Sequence, residues 1–470
     1  MTDYIKICIL FSNIYVTNKN VVRRLLLFSL TIAVYVFCTG CKKYLDKKSD
    51  QSLSVPSGLA DLQGMLDEPR LNTAMDLINT GTDEYYVTPD DWASETELNM
   101  NAYLWDGNVN DLEDWRRQYI TIFTANTALD NLQNVSTTGK DDIADNVKGT
   151  ALFLRAHSFY QLTQLFALQY DGNTAAQDLG IPLRLNSNFN VPSVRSTVEQ
   201  TYARIIQDLE DALPLLPVVP VVKTRPSKPA CFALLARAYL QMGDFTRAKE
   251  NAEKCLNLHN ELLDFNNQQE VDSLSTMPIS RFNKEVIFFT NTGACLNAST
   301  KAKIDSNLYK SYHNDDLRKK VFFSDNGDHT YRFIGSYNGG AEELFNGLAS
   351  DEVLLIKAEC DARLGNIDAA MTALNLLLEK RWRATTFIPF SASSATDALQ
   401  KVLAERKKEL IYRGTRWPDI KRLNKEPSFA LTLNRNLNGQ VYELKPNDKR
   451  FALLIPQEII QLTTMPQNER

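Results

Sequence analysis

The sequence is short of the residues that carry most metal and nucleophilic chemistry. Its 4 histidines, at 157, 259, 313 and 329, stand too far apart for an HExxH pair or any other paired helical spacing. Beyond residue 41 only Cys231, Cys255, Cys295 and Cys360 remain, with no CxxC and no zinc-like spacing. A metal site is therefore not indicated. A nucleophile elbow, a phosphate-binding loop and a dinucleotide fingerprint are also missing, so no cofactor and no catalytic residue is expected. Basic excess is missing too. Residues 1–40 hold four basic side chains and one acid, so residues 41–470 carry a net charge of −8 against −5 for the whole chain. A nucleic-acid partner calls for a basic face and is excluded on that ground.

What is present begins with an export signal. Arg23-Arg24 precede an apolar run from Leu25 to Phe37, which ends in Cys38-Thr39-Gly40-Cys41. Two charges, about a dozen apolar residues and a small-residue exit form a tripartite secretory signal. The run falls short of the roughly 20 residues that span a bilayer. Residues 1–40 therefore read as a lipoprotein signal peptide cleaved before Cys41, whose thiol takes the lipid (palmitate). Cys38 departs from the aliphatic residue usual at that place. Residues 41–470 read as one domain. A Cys231–Cys255 bridge is open to an exported chain, but apolar and helical surroundings point to buried free thiols.

Helical periodicity dominates the rest. Thr197 and Gln200 make a capping box, followed by Tyr202, Ile205, Ile206, Leu209, Leu213 and Leu216 on one face. Tyr119, Ile122, Phe123, Leu129 and Leu132 form a similar stripe in 115–132. Leu399, Val402, Leu403, Leu410 and Ile411 form another in 399–413, with Gly414 as the stop. Two segments repeat one another: Ala236 to Ala248 around Gly243, and Ala358 to Ala370 around Gly365. Small residues where helices approach and glycine at the turn are the core of a tetratricopeptide helix pair. Residues 148–167, with Thr163 in the glycine's place, read as a degenerate third copy. The expected fold is mostly α. It is a tetratricopeptide-like helical scaffold (about 115–260 and 350–423) with long irregular loop and short-strand insertions (about 79–114, 264–345 and 424–456). Asn438-Gly439 inside the last insertion predicts a hairpin.

The ordered motifs resemble the SusD/RagB family of outer-membrane nutrient-binding lipoproteins. Cys41-Lys42-Lys43-Tyr44-Leu45-Asp46 matches the family's opening. Trp115-x3-Tyr119-x2-Ile122-x3-Asn126 and Gly149-x5-Arg155-Ala156-His157 resemble its first helices. Asp178-Leu179-Gly180-Ile181-Pro182 and Arg195-Ser196-Thr197 follow in order. Glu405-Arg406, Gly414-x-Arg416-Trp417-x-Asp419-x2-Arg422, Ile455-Pro456 and Gln467-Asn468 complete the set. Arg413 and Pro418 depart from the usual acid and aromatic. The resemblance implies a surface-exposed, lipid-anchored protein of the cell outer membrane without catalytic activity. Such a protein holds oligosaccharide (or peptide) over a SusC-like TonB-dependent transporter. A glycan-acting enzyme and a tetratricopeptide adaptor are the competing readings.

The charged cluster around Trp417 reads as an internal ion-pair network, with Glu409 and Arg413 paired at i,i+4. Trp115, Tyr119, Asn126, Arg155 and His157 read as core. Ligand contacts are better sought in the insertions, because sugar rings need flat apolar faces flanked by polar groups. Tyr85, Tyr86, Trp92, Asn101, Tyr103 and Trp105 supply these in the first insertion, and Tyr331, Tyr337 and Asn338 in the second.

Overall fold

The computed structural model describes residues 56, 58–293, 296–340 and 343–470. The leader, Cys41 and Cys295 lie outside the described residues. Helix α1 (Leu59–Leu66) precedes the first insertion, with strand β1 (Tyr85–Tyr86) and helices α2 (Pro89–Ala93) and α3 (Glu97–Tyr103). Next come α4 (Leu112–Leu132), α5 (Asp141–Phe166), β2 (Leu179–Pro182), β3 (Arg195–Thr197), α6 (Val198–Ala212), α7 (Lys228–Met242) and α8 (Phe245–Leu258). The second insertion carries β4 (Val286–Phe288), β5 (Lys303–Ile304), α9 (Ser306–Ser311), α10 (Arg318–Val321), β6 (Phe323–Asp325), β7 (Tyr331–Phe333) and β8 (Leu348–Ala349). Helices α11 (Ser350–Arg363), α12 (Ile367–Arg381), α13 (Ala395–Glu409) and α14 (Arg416–Leu423) follow. The hairpin β9 (Leu433–Leu437) and β10 (Gln440–Leu444) and helix α15 (Gln457–Thr463) close the chain.

The fold is a mostly helical, tetratricopeptide-like scaffold. Helices pack as successive neighbours, α4 on α5, α5 on α6, α7 on α8, α8 on α11 and α11 on α12. Both glycine turns close in the same way. Gly243 and Gly365 have φ of 75° and 83°. Gly243 and Asp244 donate to the carbonyls of Leu240 and Tyr239, and Gly365 and Asn366 donate to those of Ala362 and Asp361. This is the paired hydrogen bonding that finishes a helix on a left-handed glycine. No such turn occurs at Thr163. Helix α5 runs unbroken to Phe166, and the Thr163 hydroxyl donates back to Phe159 O at 2.7 Å. A hydroxyl that satisfies itself inside the helix cannot stand in for glycine, so the third copy lacks its turn.

Strands occur among the described residues only as antiparallel pairs, β1 with β5, β2 with β3, β4 with β8, β6 with β7 and β9 with β10. The last pair turns through Asn438 and Gly439, both at positive φ, as a two-residue hairpin requires. Three apolar clusters fill the interior. One lies among α1 and α4–α8, a second under the insertions, and a third among α11, α12 and α13. The buried thiols of Cys231, Cys255 and Cys360 are unpaired, and burial pushes all three above their ordinary range. No helix of the described residues is long and apolar enough to cross a membrane.

Charges cross-link these clusters. Arg406 and Arg422 both donate to Asp419 at 2.8 Å, and Arg422 reaches Glu359 at 2.8 Å. Glu409 does not pair with Arg413. Helix α13 ends at Glu409 and Tyr412 takes φ 57°, so Arg413 leaves the helical face and meets Asp351 at 3.1 Å instead. Glu409 accepts from Arg318 and Arg381.

Asp83 and Glu84 tie the first insertion to this network with opposite consequences. Burial alone would raise Asp83, but Arg416 and Lys407 hold it well below the carboxylate range. Glu84 accepts from the Thr82 hydroxyl and Tyr412 N. Burial, then the charge of Asp83, pushes it up from its ordinary 4.5 to about 7. A carboxyl that holds its proton more tightly when folded adds stability that is complete below about pH 4.5. That stability is lost as pH rises through about 7. Glu84→Gln keeps a neutral side chain at every pH. Its stability relative to the parent is expected to rise by about 3 kcal/mol between pH 4.5 and 8, read from paired urea unfolding curves. A difference that stays flat with pH would mean Glu84 is ionised throughout.

Candidate functional site

The two insertions meet at one short ladder. Strand β1 pairs with β5, Tyr85 opposite Ile304 and Tyr86 opposite Lys303, and β5 lies beside β7. Side chains alternate along a strand, so Tyr85 points inward and is buried while Tyr86 is only half-buried. Helix α2 is pinned to the same ladder. The Lys303 ammonium donates to Asp91 at 3.2 Å, and the Thr88 hydroxyl donates to the same carboxylate oxygen at 2.6 Å. Lys301 donates to Glu95 at 2.5 Å.

The partly open aromatics of this surface are Tyr86, Trp92, Tyr309 and Tyr331. Tyr309 and Tyr331 lie parallel, with ring centroids 3.6 Å apart and planes at 12°. Burial, then the neighbouring Tyr331 hydroxyl, keeps the Tyr309 phenol above its ordinary range, so it remains a donor. The Lys319 ammonium sits 5.0 Å over the Tyr309 ring. Trp92 rests on the apolar cluster beneath and donates from Nε1 to Met100 O at 3.1 Å. Two carboxylates flank the rings. The Thr88 hydroxyl, with Lys303 behind it, holds Asp91 below the usual range. The Thr330 hydroxyl and amide, with a smaller pull from Lys303, do the same for Asp328. Both are acceptors at neutral pH. Tyr331 and Lys319 cover the two faces of Tyr309. The flat apolar area therefore comes from the outer face of Tyr331 with Tyr86 and Trp92, edged by ammonium donors and carboxylate acceptors, which suits a polyhydroxylated ring.

Four of the nine residues expected to contact ligand pack the core. Tyr85, Tyr103 and Trp105 are 1–3 % exposed. They surround the Arg435 guanidinium at 5.5, 4.4 and 5.2 Å from their ring centroids. A buried cation without a carboxylate gains its compensation from aromatic faces. Trp105 adopts φ 55° and donates from Nε1 to Gly81 O at 2.9 Å. Tyr337 is buried as well, donating to Glu285 at 2.5 Å with Arg413 over its ring. Of the remaining five, Tyr86, Trp92 and Tyr331 share the surface around Lys303. Asn101 is half-buried on α3. Asn338 donates to Glu343 at 3.2 Å within its own turn and is not joined to the aromatic surface by any described contact. Tyr309 and Lys303 lie outside the residues expected to contact ligand. Adjacent side chains on a strand point to opposite faces, so of Tyr85 and Tyr86 one ring faces out. Trp115, Asn126, Arg155 and His157 are core. Arg155 holds Asp208 and the Asn126 amide.

A second feature is apolar. Helix α4, residues 182–193 and α15 enclose a groove of about 460 Å³. Its rim includes Phe123 and Phe189, 50 % and 81 % exposed, so Phe123 leaves the buried stripe expected for 115–132. Among the described residues no group of three or more histidine, cysteine or acidic side chains is arranged to hold a metal ion.

Comparison with known proteins agrees with this architecture. Residues 43–240 match a family model described as SusD-like, starch-binding and associating with the outer membrane, and residues 350–452 match the SusD family model. SusD-like protein P2 of Formosa agariphila is 26 % identical over 372 residues, covering 66 % of this chain and 71 % of its own. A SusD superfamily crystal structure from Bacteroides thetaiotaomicron superposes with a TM-score of 0.72 at 20 % identity, over 88 % of this chain and all of that one. A laminarin-binding SusD-like protein superposes with a TM-score of 0.63 at 17 % identity, over 87 % of this chain and 98 % of its own.

Proposed function

The chain belongs to the SusD/RagB family, and from that premise we propose that it is a lipid-anchored surface protein that captures oligosaccharide for a SusC-like TonB-dependent transporter. The observation that carries the ligand reading is the stacked Tyr309–Tyr331 pair beside the Lys303–Asp91 couple, with Tyr86 on the β1–β5 ladder and Trp92 on helix α2 next to Asp91. Neutral glycan fits this mixed surface, where Lys303 and Lys301 already face Asp91 and Glu95 and Lys319 donates to Tyr312 O and the Asn314 amide oxygen. Glycoside hydrolysis needs one carboxyl kept protonated as the acid. Asp91 and Asp328 are instead held ionised, while the raised carboxyls Glu84, Glu285, Asp111 and Asp114 are buried inside the fold. Retarded migration through gels containing soluble glycans, without release of reducing ends, is the expected result. Retardation by no glycan alongside capture of peptides would turn the reading to a peptide-binding lid.

The apolar groove suits the transporter contact. Its rim leaves the aromatic rings of Phe123 and Phe189 open to solvent, and it lies on the helical cluster rather than on the cluster beneath the aromatic surface. Docking there leaves the glycan platform free. The double variant Phe123→Asp, Phe189→Asp is expected to cut recovery of the barrel in a pull-down by about tenfold, roughly 1.4 kcal/mol, with glycan retardation unchanged. Undiminished recovery would move the contact to another face.

A further inference from the structure

Every other buried lysine or arginine among the described residues faces a carboxylate, or, at Arg435, aromatic rings. Lys421 on α14 faces neither. It is 4 % exposed, and its ammonium donates to Gln164 O and Ala167 O, each at 2.7 Å. These carbonyls end α5, where the helix dipole supplies only about half a unit of negative charge. An ammonium has three donors, and no carboxylate of the described residues lies within 4 Å to take the third. Burial alone pushes Lys421 from its ordinary range down to about 7.

Lys421 lines a cavity of about 220 Å³ together with Lys425, Lys449 and Asn424. Asn424 is 3 % exposed, and its Nδ2 has no acceptor. The two acids on the wall are engaged, Asp448 by Arg450 at 2.8 Å and Asp178 by the Thr174 hydroxyl at 2.5 Å. Lys425 and Lys449 reach Asp171 and Glu469 only through half-open surface pairs, which are individually weak. The wall therefore holds an uncompensated cation and a spare buried donor, with two further cations at its edge.

We propose that this cavity is an anion subsite, in which the Lys421 ammonium takes the oxygens of a small oxyanion or of the carboxylate on a single sugar acid. The volume falls below the roughly 300–1,000 Å³ of pockets for drug-sized ligands, which limits the occupant to an ion or one sugar. The site is independent of the aromatic surface, and its failure would leave the glycan reading intact.

The test is calorimetry and thermal unfolding of the mature chain at low ionic strength with sodium sulfate, sodium phosphate, glucuronate and glucose. Because sulfate stabilises proteins generally by exclusion from their surface, each titration is compared with Lys421→Met and with the double variant Lys425→Gln, Lys449→Gln. Saturable binding of an anion but not of glucose is expected, lost in Lys421→Met and about tenfold weaker in the double variant. Glucuronate alone would identify a sugar acid, and sulfate or phosphate alone an inorganic ion. Either source supports the site. Should Lys421→Met fail to fold, the double variant of two half-open lysines still decides. Absence of saturable binding at tens of millimolar, or binding unchanged in the double variant, overturns the proposal.

Discussion

Arg318→Ala is expected to lower the stability of the folded chain by about 3–5 kcal/mol, read from urea unfolding midpoints. Arg318 is fully buried and donates to Asp316 at 2.7 and 2.9 Å, to Glu405 at 2.5 Å and to Glu409 at 3.0 Å. Alanine removes the cation and leaves three carboxylates behind. Glu409 keeps Arg381, and Glu405 keeps Lys408. Among the described residues Asp316 makes no other ion pair within 4 Å and feels the more distant charge of Lys408. Two charges lifted out of water are compensated only while both are present, so deleting one is far costlier than the pair's net worth. The loss also propagates. Glu409 holds Arg381, which holds Glu285 and Leu263 O, so α10, α12, α13 and β4 share the same carboxylates. The control is Arg70→Ala, whose partner Glu68 sits in solvent and whose loss is expected to cost under about 1 kcal/mol. Equal, small effects in both variants would mean that water reaches the Arg318 cluster.

This network also marks the boundary of what local sequence can reveal. The helix pairs were legible because their signals are local. Alanines and a left-handed glycine recur around Gly243 and Gly365, and the Thr197–Gln200 capping box closes within four residues. The Asn438-Gly439 turn is legible for the same reason. The failures share a different cause, a partner distant in sequence. Spacing pairs Glu409 with Arg413, but the chain leaves the helix before Arg413, and Arg318 and Arg381 arrive from elsewhere. Tyr85, Tyr103 and Trp105 lack a period, which is compatible with a surface loop. It is equally compatible with a cluster wrapped around Arg435, more than 300 residues away in the chain. Phe123 erred in the other direction. The apolar stripe of α4 is wider than the partner helix covers, and its edge stands open in the groove. Tyr309 was missed because α9 has six residues and shows no amphipathic period of its own.

The corrected surface gives the binding reading its sharpest consequence. Tyr309→Ala combined with Tyr331→Ala is expected to weaken binding of a recognised oligosaccharide by about 100-fold, roughly 2.7 kcal/mol. Aromatic rings present large flat area with only two side-chain torsions to fix. Here each ring is already held parallel to the other, so little ordering remains to oppose association. Tyr309→Ala alone leaves Tyr331 on β7 without its support and is expected to cost about tenfold. Lys303→Met should fall in the same range, because it removes a donor at the rim and frees Asp91 from its partner. Tyr85→Phe provides the contrast. It deletes a buried hydrogen bond to Thr80 O, which costs about 1 kcal/mol of stability and leaves affinity untouched if Tyr85 belongs to the core alone. A double variant that unfolds like the parent yet binds glycan with parental affinity would place the ligand away from the β1–β5–β7 surface. Loss of affinity in Tyr85→Phe without loss of stability would return the ligand to the ring of aromatics around Arg435.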